Sequence, residues 1–192
     1  MKNVLYEFSV KSFIDMVVSI AFALISLSCW ANPDSFEELI FEQKLIAINL
    51  SLAGTWEGTV KSINPDTGEA TVTETRFTRI VTNDNGLNFA TVGSNYLLWE
   101  IYAGGGVYRT SIYQFDGEST EVNLYVGDLE GPDTNGNSSH TWTYIDADGY
   151  EIRNLYTLKD GNLGFTGYRR KYGSGDEFIQ VSTGAHVKKR HE

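Results

Sequence analysis

The chain has a single cysteine, Cys29, and only three prolines among its 192 residues. Cys29 ends an apolar run near the N-terminus, so the chain that follows has no thiol with which to form a disulfide. A protein without disulfides must be stabilised by its hydrophobic core, and residues 32–192 are numerous enough to bury one. The scarcity of proline, beside nineteen glycines, excludes collagen and proline-rich stalks.

Basic side chains are also few. Fifteen lysines and arginines stand against 25 aspartates and glutamates, which gives a formal net charge of −10. Because neutralisation of phosphates by Lys and Arg supplies most non-specific affinity for nucleic acids, we expect no nucleic-acid partner.

Residue types that serve catalytic and metal sites are scarce. The three histidines are His140, His186 and His191, and no pair of them has close helical or strand spacing, whereas a zinc site needs convergent His or Cys ligands. The sequence contains no G-x-S-x-G nucleophile motif. We therefore predict no metal site, no cofactor and no catalytic residue, which favours a function other than catalysis.

The N-terminus carries an uncharged apolar run, MVVSIAFALISLSC, at residues 16–29, with two lysines before it. The run is shorter than the roughly 20 residues that span a membrane, and small residues follow it. This pattern predicts a signal peptide over residues 1–31, cleaved after Ala31, and hence a secreted or periplasmic protein with no integral membrane domain. A lipid anchor at Cys29 and a retained anchor helix are the alternatives.

The remainder begins with one helical candidate and continues with strand-like runs. Residues 32–50 contain a helix start and helical spacing of apolar residues, centred on residues 34–48. Ten runs rich in β-branched and aromatic residues follow, separated by Gly, Asn and Asp turns. These runs are residues 53–63, 70–82, 87–92, 95–103, 106–115, 119–127, 139–146, 150–158, 163–172 and 177–182.

The connections between these runs are too short for the crossover helix that parallel strands need, so the sheet is expected to be antiparallel. Many short antiparallel strands in one small domain avoid exposed edges by closing on themselves. We predict an all-β domain over residues 51–184, an antiparallel up-and-down β-barrel of about 8–10 strands. The basic residues 185–192 are expected to form a solvated tail.

The first strand opens with Gly54-Thr55-Trp56, directly after the predicted helix. This arrangement resembles the G-x-W signature of lipocalins and the wider calycin superfamily, and the string through Gly58 is similar to nitrobindin-like domains. In that family the Trp closes one end of the barrel and packs beneath an Arg of the last strand. The resemblance implies a lipocalin-like barrel in which Trp56 and Arg169 form this closure.

Strand parity indicates side chains for a ligand site. His140, Trp142 and Tyr144 share one face of a strand, and an inward orientation would line a cavity with imidazole, indole and phenol groups. Arg109 shares a face with Tyr113 and would anchor an acidic head group such as a carboxylate. An outward orientation, on the solvent-exposed face of the sheet, is the alternative for each of these residues.

The leading hypothesis is an exported lipocalin-like barrel that binds a small apolar or aromatic ligand, with Tyr156 lining the same space. Two alternatives stay open. One is a structural or interaction protein with a filled barrel, which would expose an apolar patch on its outer face. The other is an isomerase- or hydrolase-type enzyme on the same scaffold, using His140.

Overall fold

The computed structural model describes residues 33–83 and 85–189. The chain divides into two compact units, residues 1–40 and 41–192. The predicted signal peptide, residues 1–31, lies outside the described residues. The described part of the first unit is the start of a helix, on which Phe36, Leu39 and Ile40 are exposed.

Helix α1 spans Pro33–Leu52 and is followed by ten strands. The strands are β1 (Gly54–Ile63), β2 (Ala70–Val81), β3 (Phe89–Gly93), β4 (Tyr96–Gly104), β5 (Val107–Gln114), β6 (Ser119–Glu130), β7 (Ser138–Ile145), β8 (Tyr150–Lys159), β9 (Asn162–Lys171) and β10 (Ile179–Lys188). Each of the ten predicted runs corresponds to one of these strands. In the described part of the chain, no helix combines the length and apolar character that crossing a membrane requires.

The ten strands form one closed barrel in which every neighbouring pair is antiparallel and successive strands lie side by side. Closure comes from β1, which pairs with β2 along one edge and with β10 along the other, from Trp56 opposite Lys188 to Ser62 opposite Ser182. The predicted antiparallel up-and-down barrel is therefore confirmed, with ten strands, and its architecture is compatible with a calycin-like fold.

The hairpin turns account for this topology locally. The two-residue turn between β8 and β9 is Asp160-Gly161, and both residues have positive φ, 50° and 75°. A type I′ turn needs positive φ at both central positions, and its twist matches that of the flanking strands. An Asp-Gly pair adopts this conformation readily because glycine has no Cβ and aspartate tolerates the left-handed region.

The second half of α1 covers one end of the barrel, which we call the helix end. Leu45, Ile48 and Leu52 are fully buried there, at the three- and four-residue spacing that places side chains on one helix face. They pack against two clusters of barrel side chains, one around Tyr108 and one around Trp56. We call the opposite end the turn end; it carries the hairpin turns at residues 64–69, 94–95, 115–118, 146–149 and 172–178.

Trp56 joins the helix to the barrel wall, but its cation partner differs from the one expected. Its indole Nε1 donates a hydrogen bond of 2.9 Å to the carbonyl of Leu52, and Lys188 Nζ lies 5.4 Å from the ring centroid. The expected stacking of Arg169 on Trp56 is wrong. Arg169 lies near the end of β9, at the turn end, where its guanidinium stacks on Tyr150 at 3.5 Å.

The predicted basic tail also needs correction. Strand β10 continues to Lys188, so residues 185–188 pair with β1 rather than lying free in solvent. His186 within this stretch is buried, and its Nε2 lies 2.7 Å from the hydroxyl of Thr75.

The burial of Trp56 yields a test of the helix end. Trp56 is 1% exposed, so Trp56→Ala removes a buried indole and leaves a cavity, and we expect a loss of about 3–5 kcal/mol in the free energy of unfolding. Urea unfolding followed by far-UV circular dichroism measures this loss. Trp99→Ala is the matched control, because Trp99 is 42% exposed on the outer face and its loss is expected to be under about 1 kcal/mol. Equal losses in the two variants would contradict the role of Trp56.

Candidate functional site

Burial along the inner wall of the barrel is graded from one end to the other. On β5 the inward side chains are Tyr108, Thr110, Ile112 and Gln114, in order from the helix end; the first two are buried, the third is half-buried and the fourth is exposed. Strand β2 shows the same gradient in the opposite chain direction. Solvent therefore enters the barrel from the turn end and is excluded at the helix end.

An open recess of about 420 Å³ lies at the turn end. It is lined by Arg169 and by the β1–β2 hairpin, including Ser62, Thr71, Asp66 and Glu69. Ser62, Thr71 and Arg169 have the strand parity of the inner wall, since Ser62 and Thr71 face each other across β1 and β2 in register with Trp56 and Phe77. The recess is thus the rim of the barrel interior.

Arg79, on β2, is a half-buried charged residue of the inner wall. Its guanidinium carbon lies 3.5 Å from the ring centroid of Phe89 and 5.4 Å from that of Trp142. Its Nη2 donates a hydrogen bond of 3.3 Å to the side-chain oxygen of Asn49, on α1. Stacking on two aromatic rings and bonding to one neutral amide hold the guanidinium in place without supplying a negative charge.

Asn49 connects the helix to this guanidinium. Its side-chain oxygen accepts from Arg79, and its amide nitrogen donates to the hydroxyl of Tyr108 at 3.1 Å and to the carbonyl of Gly86 at 3.2 Å. Asn49 is 1% exposed, and its amide oxygen and nitrogen both have partners, so its orientation is determined by this network. The helix therefore positions Arg79 as well as closing the barrel.

Glu100, on β4, is the buried acid of the same interior. It is 2% exposed, and within the described part of the chain its one hydrogen bond comes from the hydroxyl of Thr91, at 3.5 Å. Burial raises the pKa of Glu100 to about 7, against the lowering effects of Arg79 and of the Thr91 hydrogen bond. Among the described residues, Glu100 and Arg79 form no ion pair with each other.

His140, Trp142 and Tyr156 complete the aromatic side of the interior. The imidazole of His140 stacks on the ring of Tyr156, with centroids 5.4 Å apart, and lies 6.0 Å from Trp142. Burial, together with the positive charge of Arg79, lowers the pKa of His140 to about 3. The imidazole is therefore neutral near pH 7, with one nitrogen as a donor and the other as an acceptor.

Four buried polar atoms on this inner wall find no hydrogen-bond partner among residues 33–83 and 85–189: Arg79 Nε, Thr110 Oγ1, His140 Nδ1 and Trp142 Nε1. Buried polar atoms are nearly always hydrogen-bonded in folded proteins, because an unpaired one costs roughly 1–3 kcal/mol. Four together, on the same inner wall, form a set of donors and acceptors suited to a bound polar group or to water. We call Arg79, Glu100, Thr110, His140 and Trp142 the interior polar cluster.

The structure brings together part of the predicted ligand site. His140, Trp142 and Tyr156 lie in or beside the interior polar cluster, and Tyr144 is on the same inner face, half-buried, one step toward the turn end. Arg109 and Tyr113 do not join them. Both are exposed on the outer face, which corrects the expected inward orientation of Arg109.

The reason for this correction is the alternation of side chains along β5. Tyr108 and Thr110 are buried inside the barrel, so Arg109 between them must point outward. The sequence of β5 has polar and aromatic residues at both parities, and its alternation alone does not say which set faces inward. The positions of the neighbouring strands in the closed sheet determine which set of side chains faces inward.

Sequence reasoning missed the two charged residues of the cluster, Arg79 and Glu100. A signal for Glu100 was present, since it is the single charge within the apolar run Leu97-Leu98-Trp99-Glu100-Ile101-Tyr102. Arg79 has the parity of Phe77, an inward aromatic, and not that of the exposed Arg76. A charged residue that shares a strand face with apolar residues indicates a buried charge more directly than the presence of nearby aromatic residues does.

The described residues offer little for catalysis or metal binding. Within residues 33–83 and 85–189, no group of three or more His, Cys, Asp or Glu side chains is placed to hold a metal ion. His140 contacts aromatic rings rather than a carboxylate, whereas a general base is commonly oriented by a hydrogen-bonded acid.

Comparison with known proteins adds no assignment, because no protein-family model matches the chain and no curated protein matches it significantly. The function is therefore inferred from the interior polar cluster and from the architecture of the barrel that encloses it.

The raised pKa of Glu100 predicts a pH effect on stability. Between pH 4.5 and about 7 the folded protein keeps the proton of Glu100 while the unfolded chain loses it, so stability falls as pH rises through this window. Glu100→Gln cannot ionise and avoids the loss. We expect its free energy of unfolding, relative to that of the natural protein, to increase between pH 5 and 8 by an amount on the order of 3 kcal/mol.

Urea unfolding at several pH values measures this difference. His140 acts in the opposite direction, because its lowered pKa makes stability rise with pH between about 3 and 6.5, but it is present in both proteins and cancels in the comparison. Glu121→Gln, an exposed change on the outer face, is the control and is expected to show a difference independent of pH. A pH-independent difference for Glu100→Gln as well would contradict the assignment.

Proposed function

We propose that the protein is an exported binding protein whose barrel interior takes one small molecule with an aromatic or apolar body and a polar group. The apolar part would lie among the inward aromatic rings, and the polar group would meet the interior polar cluster. Pockets of this composition, largely apolar with a few convergent polar groups, are typical of small-molecule sites.

The observation that carries this proposal is the set of four buried polar atoms without partners. A barrel evolved only for stability would pair such atoms or replace them with apolar groups, since both alternatives avoid the cost of desolvation. Donors and acceptors that are left free, on residues held in place by stacking and by Asn49, are preorganised for a partner from outside.

The dimensions of the barrel support the same function. Eight strands enclose an interior that side chains fill or that holds one small ligand, and this barrel has ten. The inward positions toward the turn end of β1, β2 and β10 carry small residues, namely Ser62, Thr71, Thr73 and Ser182. We propose that these small side chains leave a path from the rim recess toward the interior polar cluster.

A second candidate is an interaction protein that works through its outer face. On the outer face of β3, β4 and β5, Val92, Trp99, Ile101 and Tyr113 are exposed. An exposed apolar patch of this kind is typical of a surface that contacts another molecule. This function would require neither the rim recess nor free polar atoms inside the barrel.

A blocking variant tests the ligand-binding function. Ile112 is inward and half-buried between the rim and the interior polar cluster, so Ile112→Trp fills the path, whereas Tyr113→Trp changes the adjacent outward residue. With 2-naphthol as the probe, we expect calorimetry to show binding that weakens at least about tenfold in Ile112→Trp and is unchanged in Tyr113→Trp. Equal binding by the two variants would contradict an interior site.

Export is tested independently of binding. Expression in a bacterial host, followed by intact-mass measurement of the periplasmic protein, is expected to give a chain that starts at Asn32, because the residues before it have the layout of a cleaved signal peptide. A lipid-modified chain that starts at Cys29 would support the anchored alternative, and a chain that retains residues 1–31 would contradict cleavage.

A further inference from the structure

We infer that the interior site is selective for anions, and that, where Glu100 is ionised in the free protein, each anion bound at Arg79 is accompanied by one proton taken up by Glu100. This inference rests on the proposed ligand-binding function and specifies its ligand class, an aromatic molecule with a carboxylate or similar acidic group. It also assigns a regulatory role to Glu100, which no sequence motif indicates.

The positive charge of Arg79 has no ion-pair partner in the described interior. Among the described residues, its guanidinium makes no ion pair, its one hydrogen bond is to the neutral amide of Asn49, and its Nε is buried without a partner. Burial lowers the pKa of Arg79, yet a guanidinium stays charged over the whole range in which the protein is folded. A half-buried cation whose Nε is buried without a partner gains from a bound anion.

Glu100 lies near Arg79 on the inner wall of the barrel. Glu100 lies opposite Phe89 across β3 and β4, and the guanidinium of Arg79 stacks on that same ring. Among the described residues, Arg79 is the one cation that lowers the pKa of Glu100, so the two groups lie close enough to interact. Its weak bond from Thr91 does not satisfy two carboxylate oxygens, so the ionised form is poorly solvated.

Three phenols and one imidazole of the described residues also act electrostatically on Arg79 or Glu100. From the facing strands these are Tyr108 on β5 and Tyr156 on β8, and from its own strand Tyr96 acts on Glu100. Burial raises the pKa of all three phenols, so they are neutral near pH 7. His140 on β7 is neutral as well, because burial lowers its pKa to about 3. Arg79 and Glu100 are therefore the two charges that decide the electrostatics of the interior.

Proton uptake follows from these charges. When Glu100 is ionised, it partly neutralises Arg79, and an incoming anion would place two negative charges beside one positive charge in a buried site. Protonation of Glu100 removes this repulsion and leaves Arg79 free for the anion. Because the pKa of Glu100 is already about 7 in the free protein, the proton is gained near neutral pH at little cost.

A pair of probes with the same ring system tests the inference. 2-Naphthoate is an anion throughout pH 6–9, and 2-naphthamide is its neutral counterpart of nearly equal shape. For the natural protein, calorimetry is expected to show that naphthoate binds more tightly at pH 6 and that its affinity falls by about tenfold per pH unit above pH 7, while that of naphthamide stays constant. Titration at pH 8 in buffers of different ionisation enthalpy is expected to show nearly one proton taken up per naphthoate.

Three variants separate the roles of the charges. In Glu100→Gln we expect tight naphthoate binding with neither the pH dependence nor the proton uptake. In Arg79→Gln we expect naphthoate affinity to fall at least about tenfold while naphthamide still binds, and in Arg79→Lys the preference for the anion is retained in part. Arg109→Gln removes an exposed charge on the outer face and is the control, with binding unchanged. Far-UV circular dichroism checks that each variant is folded.

The outcomes distinguish the inference from the function on which it rests. Equal affinities for naphthoate and naphthamide, or naphthoate binding that is unaffected in Arg79→Gln, would overturn the inference and leave ligand binding intact. A preference for naphthoate with no pH dependence or proton uptake would overturn the role of Glu100. Failure of the natural protein to bind either probe or 2-naphthol would overturn the proposed function itself, and the inference with it.

Discussion

The pairing of β1 with β10 is the constraint on which the rest of the structure depends. It removes the two edges that an open ten-stranded sheet would expose and separates the side chains of every strand into an inner and an outer set. A difference of one residue then has a large consequence: Tyr108 is fully buried, whereas Arg109 is exposed to solvent. Any charge on an inward position is enclosed by the barrel wall.

The helix determines how completely such a charge is enclosed. The buried face of α1 closes one end of the barrel with Leu45, Ile48 and Leu52, and the same face contributes Asn49 to the network around Arg79. The opposite end stays accessible, so the exposure of the inner-wall side chains increases from the helix end to the turn end. The interior polar cluster therefore lies where the wall is enclosed, in an environment of low dielectric constant.

Two opposite charges that share this interior without forming an ion pair reduce the stability of the barrel, because neither is fully compensated. The aromatic rings around them offset part of this cost by stacking on the guanidinium and by excluding water from the floor. Protonation of Glu100 near neutral pH offsets another part. Uncompensated charge and desolvation of this kind are commonly concentrated at functional sites.

Much of the fold follows from local features of the sequence. The alternating runs, the turn residues and the short connections determined ten antiparallel strands, since each hairpin depends only on neighbouring residues. The inward face shared by His140 and Trp142 follows from the same alternation, once one member is known to be buried.

The choice of inner face on β5, the proximity of Arg79 to Glu100 and the replacement of Arg169 by Lys188 beside Trp56 were decided only by the tertiary structure. Alternation along a strand is symmetric with respect to its two faces, and a charge on either face has the same local sequence. Contacts between distant strands depend on barrel closure, strand register and the position of the helix, which brings residues from β2, β4 and α1 together. The sequence by itself determined the strands, and the closed sheet determined which side chains meet inside it.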